Sequence, residues 1–289
     1  MKPMLQAMRA AAQWRLLLMW LGCLLLPALL MALPVWLTLA AELDHTVHVA
    51  ALARALDMVA IADLGSALRR NADALTTGGV GAVVLTLLLS PLLTGAAVTA
   101  ARAAEPPGWR ALVGGACELY PRMLRMLAWG LVPLTALAAL GTALADASFE
   151  HAREAIVYSA AYPWEVAAAV VAALAMVFAN LTLDLGRTVL AVDRRRTHAV
   201  PAWWHGLRLL WQRPGGVLLA WLVPTVAGLL LAALLGAARV QVPALGAAGT
   251  LGAVLLAQLV VLALGWMRAA RLFALIALAQ RLDGPPHLH

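Results

Sequence analysis

The sequence predicts an all-α integral membrane protein: six transmembrane helices, arranged as three repeats of an interfacial helix plus a transmembrane hairpin, with N-terminus and C-terminus both cytoplasmic. Three observations carry this. Hydrophobic residues make up 64% of the 289 residues and charged ones only 12%, against about 25% charged in ordinary soluble domains. Mean hydropathy is +0.88, and the apolar residues gather in long runs separated by short polar stretches. Basic residues crowd alternate loops and thin out in the others.

Taken in order, six runs are long enough to cross about 30 Å of hydrocarbon at about 1.5 Å per residue: 16–42, 79–101, 126–146, 166–188, 215–236 and 248–267. The first extends from Leu16 to Leu43, well past the roughly 7–15 residues of a signal-peptide core, so it is read as a span. "WLGC" (Trp20–Cys23) has the look of a lipoprotein site, yet the apolar run continues beyond Cys23, which a processed lipoprotein does not need. Cys23 and Cys117 form neither a disulfide framework nor a metal knuckle.

The loops orient these spans. Lys2, Arg9 and Arg15 precede the first; Arg102, Arg110, Arg122 and Arg125 follow the second. Arg187, Arg194, Arg195, Arg196, Arg208 and Arg213 lie between the fourth and fifth, and Arg268, Arg271 and Arg281 follow the sixth. The opposite side holds only Arg54, Arg69, Arg70, Arg153 and Arg239. Such an asymmetry over short loops places both termini in the cytoplasm. Carboxylates lean outward, among them Glu42, Asp44, Asp57, Asp146 and Glu150. Most tryptophans fall near the predicted cytoplasmic ends, as an interfacial belt heavier on the inner leaflet.

Three segments share landmarks in one order: "PMLQAMRAAAQWRLLLMWLGCLLLP", "PGWRALVGGACELYPRMLRMLAWGLVP" and "PAWWHGLRLLWQRPGGVLLAWLVP". Each opens on a proline (Pro3, Pro107, Pro201) and reaches an aromatic (Trp14, Tyr120, Trp211) with an arginine close behind. Each then enters a span with an early tryptophan and a later proline. The units are 1–104, 105–198 and 199–282, with a polar tail at 283–289. In the third, Trp203, Trp204, Leu207, Leu210 and Trp211 share one helical face, and His205, Arg208 and Gln212 lie towards the other. Tryptophan and leucine opposite arginine describe a helix in the headgroup plane. Its expected lipid contacts, with those of the flanking segments, are Trp109, Arg194, Arg195, Arg196, Trp203, Trp204, Arg208, Trp211 and Arg213, facing anionic headgroups of the cytoplasmic leaflet.

The stretch "LTLDLGRTVLAVDRRRTHAVPAWWHGLRLLWQRPGGVLLAWLV", with the late "QLVVLALGWMRAARLFALIALAQ", resembles a family of uncharacterised six-span bacterial inner-membrane proteins. That family is similar in pattern to the membrane domain attached to some glycerophosphoryl diester phosphodiesterases. The resemblance covers most of the chain and implies a bacterial inner-membrane protein. It does not imply the phosphodiesterase reaction, since no catalytic domain accompanies it.

Asp184 and Arg187, in "LDLGR", stand three residues apart near the cytoplasmic end of the fourth span. An intramembrane carboxylate is a candidate proton carrier. With only about 4.5 Å of helix rise between them, the preferred reading is a neutralised pair that pins the helix end. Asn180 and Gln258 are expected to bridge helices. The run Arg194–Arg196 suits nucleic acid or lipid headgroups; the interface explains the neighbouring tryptophans, so no nucleic-acid partner is expected. Asp44, His45 and His48 offer two histidines at helical spacing without a third firm metal ligand. No phosphate loop, GxSxG or HExxH occurs, and neither a cofactor nor a catalytic residue is assigned.

Three classes of function remain. The preferred one is a non-enzymatic membrane component: an accessory or scaffold subunit with a protein partner, or an organiser of lipid. The second is a transporter or channel, for which Pro91, Pro133 and Pro224 would mark broken helices around a midplane site. The third is a lipid-headgroup enzyme using Asp184 or the outer histidines.

Overall fold

The computed structural model describes residues 2–43, 58–154, 158–193, 197–243 and 246–282, and these are almost wholly helical, with no strand among them. The helices are α1 (Lys2–Ala10), α2 (Trp14–Leu43), α3 (Met58–Arg70), α4 (Ala72–Arg102), α5 (Trp109–Glu154), α6 (Tyr158–Val192), α7 (Ala199–Gln212), α8 (Pro214–Gln241) and α9 (Gly246–Leu282). Six of them, α2, α4, α5, α6, α8 and α9, are long and apolar enough to cross a bilayer. Helices suit that solvent because each satisfies its own backbone polar groups.

Two compact units divide the chain: residues 18–90, and residues 1–17 with 91–289. In the smaller unit, Pro34 cannot donate the N–H that would bond the Leu30 carbonyl one turn back. That carbonyl faces Gly78 of α4, where a Cβ would lie 3.2 Å from it and 2.8 Å from Pro34 Cγ. The proline bend and the glycine therefore belong together: a side chain at 78 would push the two helices apart.

The larger unit is densest at one end. There Val98 of α4, Met123 and Met126 of α5, Leu183 and Leu190 of α6, Ala202 of α7 and Ile276 of α9 bury one another in a single core. Away from this end the spans turn leucines outward; Leu174 and Leu234 are 64% and 70% exposed. Such surface is suited to lipid rather than water.

Two boundaries differ from the sequence reading, those of the second repeat segment and of the sixth span. In the first and third repeat segments the short leading helix is separate from the span. Ala11 and Ala12 close a turn after α1, and Arg213 ends α7 by donating its N–H to the Leu209 carbonyl before Pro214 opens α8. In the second segment no break occurs: α5 runs unbroken for 46 residues through Pro121 and Pro133. The sixth span, expected to stop at 267 before a basic tail, continues to Leu282, and every residue from Ala269 to Ile276 is buried. The apolar "LFALIALA" after Arg271 supplies the reason, because it forms a helix that only a packed environment can hold.

α7 docks on α6 through small residues. Ala199, Ala202 and Gly206 form its buried stripe, and a Cβ on Gly206 would lie 2.9 Å from the Leu185 carbonyl carbon and 3.0 Å from the Gly186 nitrogen. Both are backbone atoms that cannot swing aside. Gly206→Val is expected to destabilise the protein by about 1–3 kcal/mol through overpacking. Gly236→Ala, at a site with open space around it, is expected to be neutral or slightly stabilising. Thermal unfolding in detergent reads both, and equal melting temperatures for the two variants would contradict the close crossing.

Candidate functional site

The candidate site grows from the α6 sequence "LTLDLGRTVL". The hydroxyls of Thr182 and Thr188 donate to the Ala179 and Asp184 carbonyls on their own helix, which spends those donors locally. Asp184 is 6% exposed and is met by side chains from three helices. Arg187, one turn on, donates Nη1–H to Oδ1 at 2.7 Å. Trp221 of α8 donates its indole N–H to Oδ2 at 3.0 Å. Arg271 of α9 brings Nη1 within 3.7 Å of the same oxygen and lays its guanidinium 5.0 Å from the Trp221 ring centre. The pair expected from sequence is present, then, as half of a larger group. By sequence Trp221 counts among the tryptophans near predicted cytoplasmic ends and Arg271 among the arginines after the sixth span; the signal for both is the apolar sequence flanking them, which marks positions inside a packed helix.

Chemically, both oxygens of Asp184 face N–H donors, and one negative charge meets two positive ones. A carboxylate so occupied fixes α6, α8 and α9 against one another. Asn180, expected to bridge helices, instead donates its amide to the Met176 carbonyl of its own helix at 2.9 Å, one turn back.

Around this group lies a basic, tryptophan-rich rim. Trp14 and Trp109 meet edge to face at 5.9 Å, bringing the starts of α2 and α5 together. On α7 the stripe of small residues faces the protein, so Trp204 and Trp211 share the exposed side with His205, Arg208 and Gln212, rather than lying opposite them. Trp211 is 80% exposed. Trp203 turns inward, half-buried and 5.8 Å from the Trp129 ring, because it neighbours the buried Ala202. Arg213 is exposed at the α7–α8 junction. Arg125 donates to the Thr197 carbonyl at 3.1 Å and so holds the segment leading into α7. Arg194, Arg195 and Arg196 lie outside the described residues, as do Asp44, His45 and His48. Among the described residues no three His, Cys, Asp or Glu side chains gather as a metal site.

Two cavities open at this basic end, of about 750 and 270 Å³. Pro91, Pro133 and Pro224 line neither of them. Searches against protein-family models, curated proteins and solved structures find no match to the chain.

Replacing Asp184 by Asn removes the negative charge that faces Arg187 and Arg271. The expected cost is about 3 kcal/mol or more, seen as a lower melting temperature in detergent. Arg271→Met in the same chain should recover more of the loss than Arg187→Gln, because the Arg271 side chain is 9% exposed and that of Arg187 16%. An Asp184→Asn protein that melts like the parent would remove the structural role.

Proposed function

We propose that the chain is a non-enzymatic integral protein of the bacterial inner membrane, with both termini cytoplasmic, that binds and organises anionic lipid on the inner leaflet. The observation that supports this best is the exposure of Trp14, Trp109, Trp204 and Trp211 beside Arg110, Arg208 and Arg213 on the segments that lead into α2, α5 and α8. Large indoles standing in water gain nothing. At the headgroup level their apolar bodies are buried and their N–H groups stay hydrated. Each arginine beside them adds about 1 kcal/mol of attraction to an anionic leaflet. The three basic segments act as three copies of one anchoring unit, whether the leading helix is separate, as in α1 and α7, or fused to its span, as in α5. The same surface suits an accessory role, in which lipid held at the rim seats a membrane partner.

The test is tryptophan quenching in vesicles that mix phosphatidylglycerol with phosphatidylcholine, one of the two carrying brominated chains. Brominated phosphatidylglycerol is expected to quench more strongly at equal mole fraction, with the preference shrinking as salt rises. It should shrink also in the Arg208→Gln/Arg213→Gln variant. Equal quenching by the two lipids would contradict lipid selection, and protein-dependent solute flux across the same vesicles would shift the reading to a transporter.

A further inference from the structure

The larger cavity at the basic end lies between α1, the end of α4 with the segment after it, and the last turns of α9. Its polar lining consists mainly of Arg9, Gln13, Arg15, Glu105, Gln280 and Arg281. Three guanidiniums against one carboxylate leave it two charges positive. Among the described residues none of these arginines forms an ion pair with Glu105 or with any other acid. Arg15 is held in place from one edge. Its Nη1 donates to the Pro107 carbonyl at 3.3 Å, and its guanidinium lies 5.2 Å from the Trp14 ring centre. Its Nε–H is buried and has no partner. Gln13 Oε1 is likewise buried without a partner. Both atoms are closed off by protein, so what these side chains offer the cavity is their remaining edges, the guanidinium of Arg15 and the amide of Gln13.

The walls are fixed rather than loose. Trp266 donates its indole N–H to the Met8 carbonyl at 3.1 Å, and Ala7 and Ala11 are buried, so α1 is seated on the protein. The volume of about 750 Å³ is in the range of organic ligand sites and far exceeds the share of a single small ion. Trp14 and Trp109 stand at the start of the spans, the level at which headgroups lie.

From the arginines without an acid partner and the volume, we propose that this cavity binds the phosphate group of a phosphate ester, an assignment that rests on the lipid-binding reading above and locates one specific site within it. Arg9, Arg15 and Arg281 supply charge-assisted hydrogen bonds to the phosphate oxygens. Gln13 and Gln280 meet the hydroxyls or ester oxygens beside it. A phospholipid headgroup and a soluble phosphate share this chemistry, and the experiment separates the two.

Full-length protein, stripped of lipid in a neutral detergent, is titrated by calorimetry with dihexanoyl phosphatidylglycerol, dihexanoyl phosphatidylcholine and inorganic phosphate. The exposed pair Arg9→Gln/Arg281→Gln is the main variant, since neither side chain supports the fold. Arg239→Gln, on α8 and bonded to the Val242 carbonyl, controls for charge. Saturable binding of the phosphatidylglycerol, weakened about tenfold or more in the double variant and unchanged in the control, is the expected result. Inorganic phosphate binding as tightly, with the same dependence on Arg9 and Arg281, also supports the site and makes its natural ligand soluble. Binding of phosphatidylglycerol or of phosphatidylcholine that survives the double variant overturns the assignment, because both carry the phosphodiester the arginines are assigned to hold. If brominated phosphatidylglycerol still quenches preferentially in vesicles, only the cavity assignment has failed; if that preference is also absent, the lipid reading fails with it.

Discussion

One buried carboxylate sets the arrangement of the larger unit. Taking a charge out of water costs several kcal/mol unless donors surround it, so Asp184 is tolerable only where Arg187, Trp221 and Arg271 converge on it. The requirement draws α8 and α9 onto α6 at one level. With Arg271 held there, the α9 residues on either side of it are carried into the protein, which accounts for the burial of Ala269–Ile276. α1 then rests on α9 through Trp266, and the space between α1, α9 and the end of α4 is the cavity. A change at Asp184 therefore reaches parts of the unit that never touch it.

Packing within that unit is uneven in a way that suits two solvents. At the basic end small residues allow close approach: Ala199, Ala202 and Gly206 bring α7 against the α6 backbone, and a shared core fills the gaps between five helices. Along the spans leucine and valine face outward, where lipid chains replace protein neighbours. The rim between these regions carries the tryptophans and arginines. Polar side chains are concentrated at that rim, and the apolar spans need little beyond length and helicity.

How far the sequence was legible follows from the range of each signal. Span number is a matter of composition over some twenty residues, so all six long helices were readable, as was the Asp184–Arg187 pair, whose three-residue spacing is local. Helix ends were harder. Pro133 suggested a break that α5 does not make, because a proline bend is tolerated when neighbours accept it. Trp221 and Arg271 lie 37 and 87 positions from Asp184, and no periodicity reports such pairings. The inward face of α7 was misjudged for a related reason. Hydrophobicity singled out Trp203, Trp204 and Trp211, whereas close packing on α6 selected the small residues Ala202 and Gly206 and left two of the indoles outside.

The account stands or falls on what the basic end holds in its own membrane. Extracting the protein from native membranes into lipid nanodiscs without detergent, then weighing the particles by native mass spectrometry, tests this most directly. The account predicts a protein that retains anionic phospholipid in enriched, defined numbers after collisional stripping of the bulk lipid. A protein that sheds anionic and zwitterionic lipid alike, and instead keeps a stoichiometric protein partner over the rim, would contradict it.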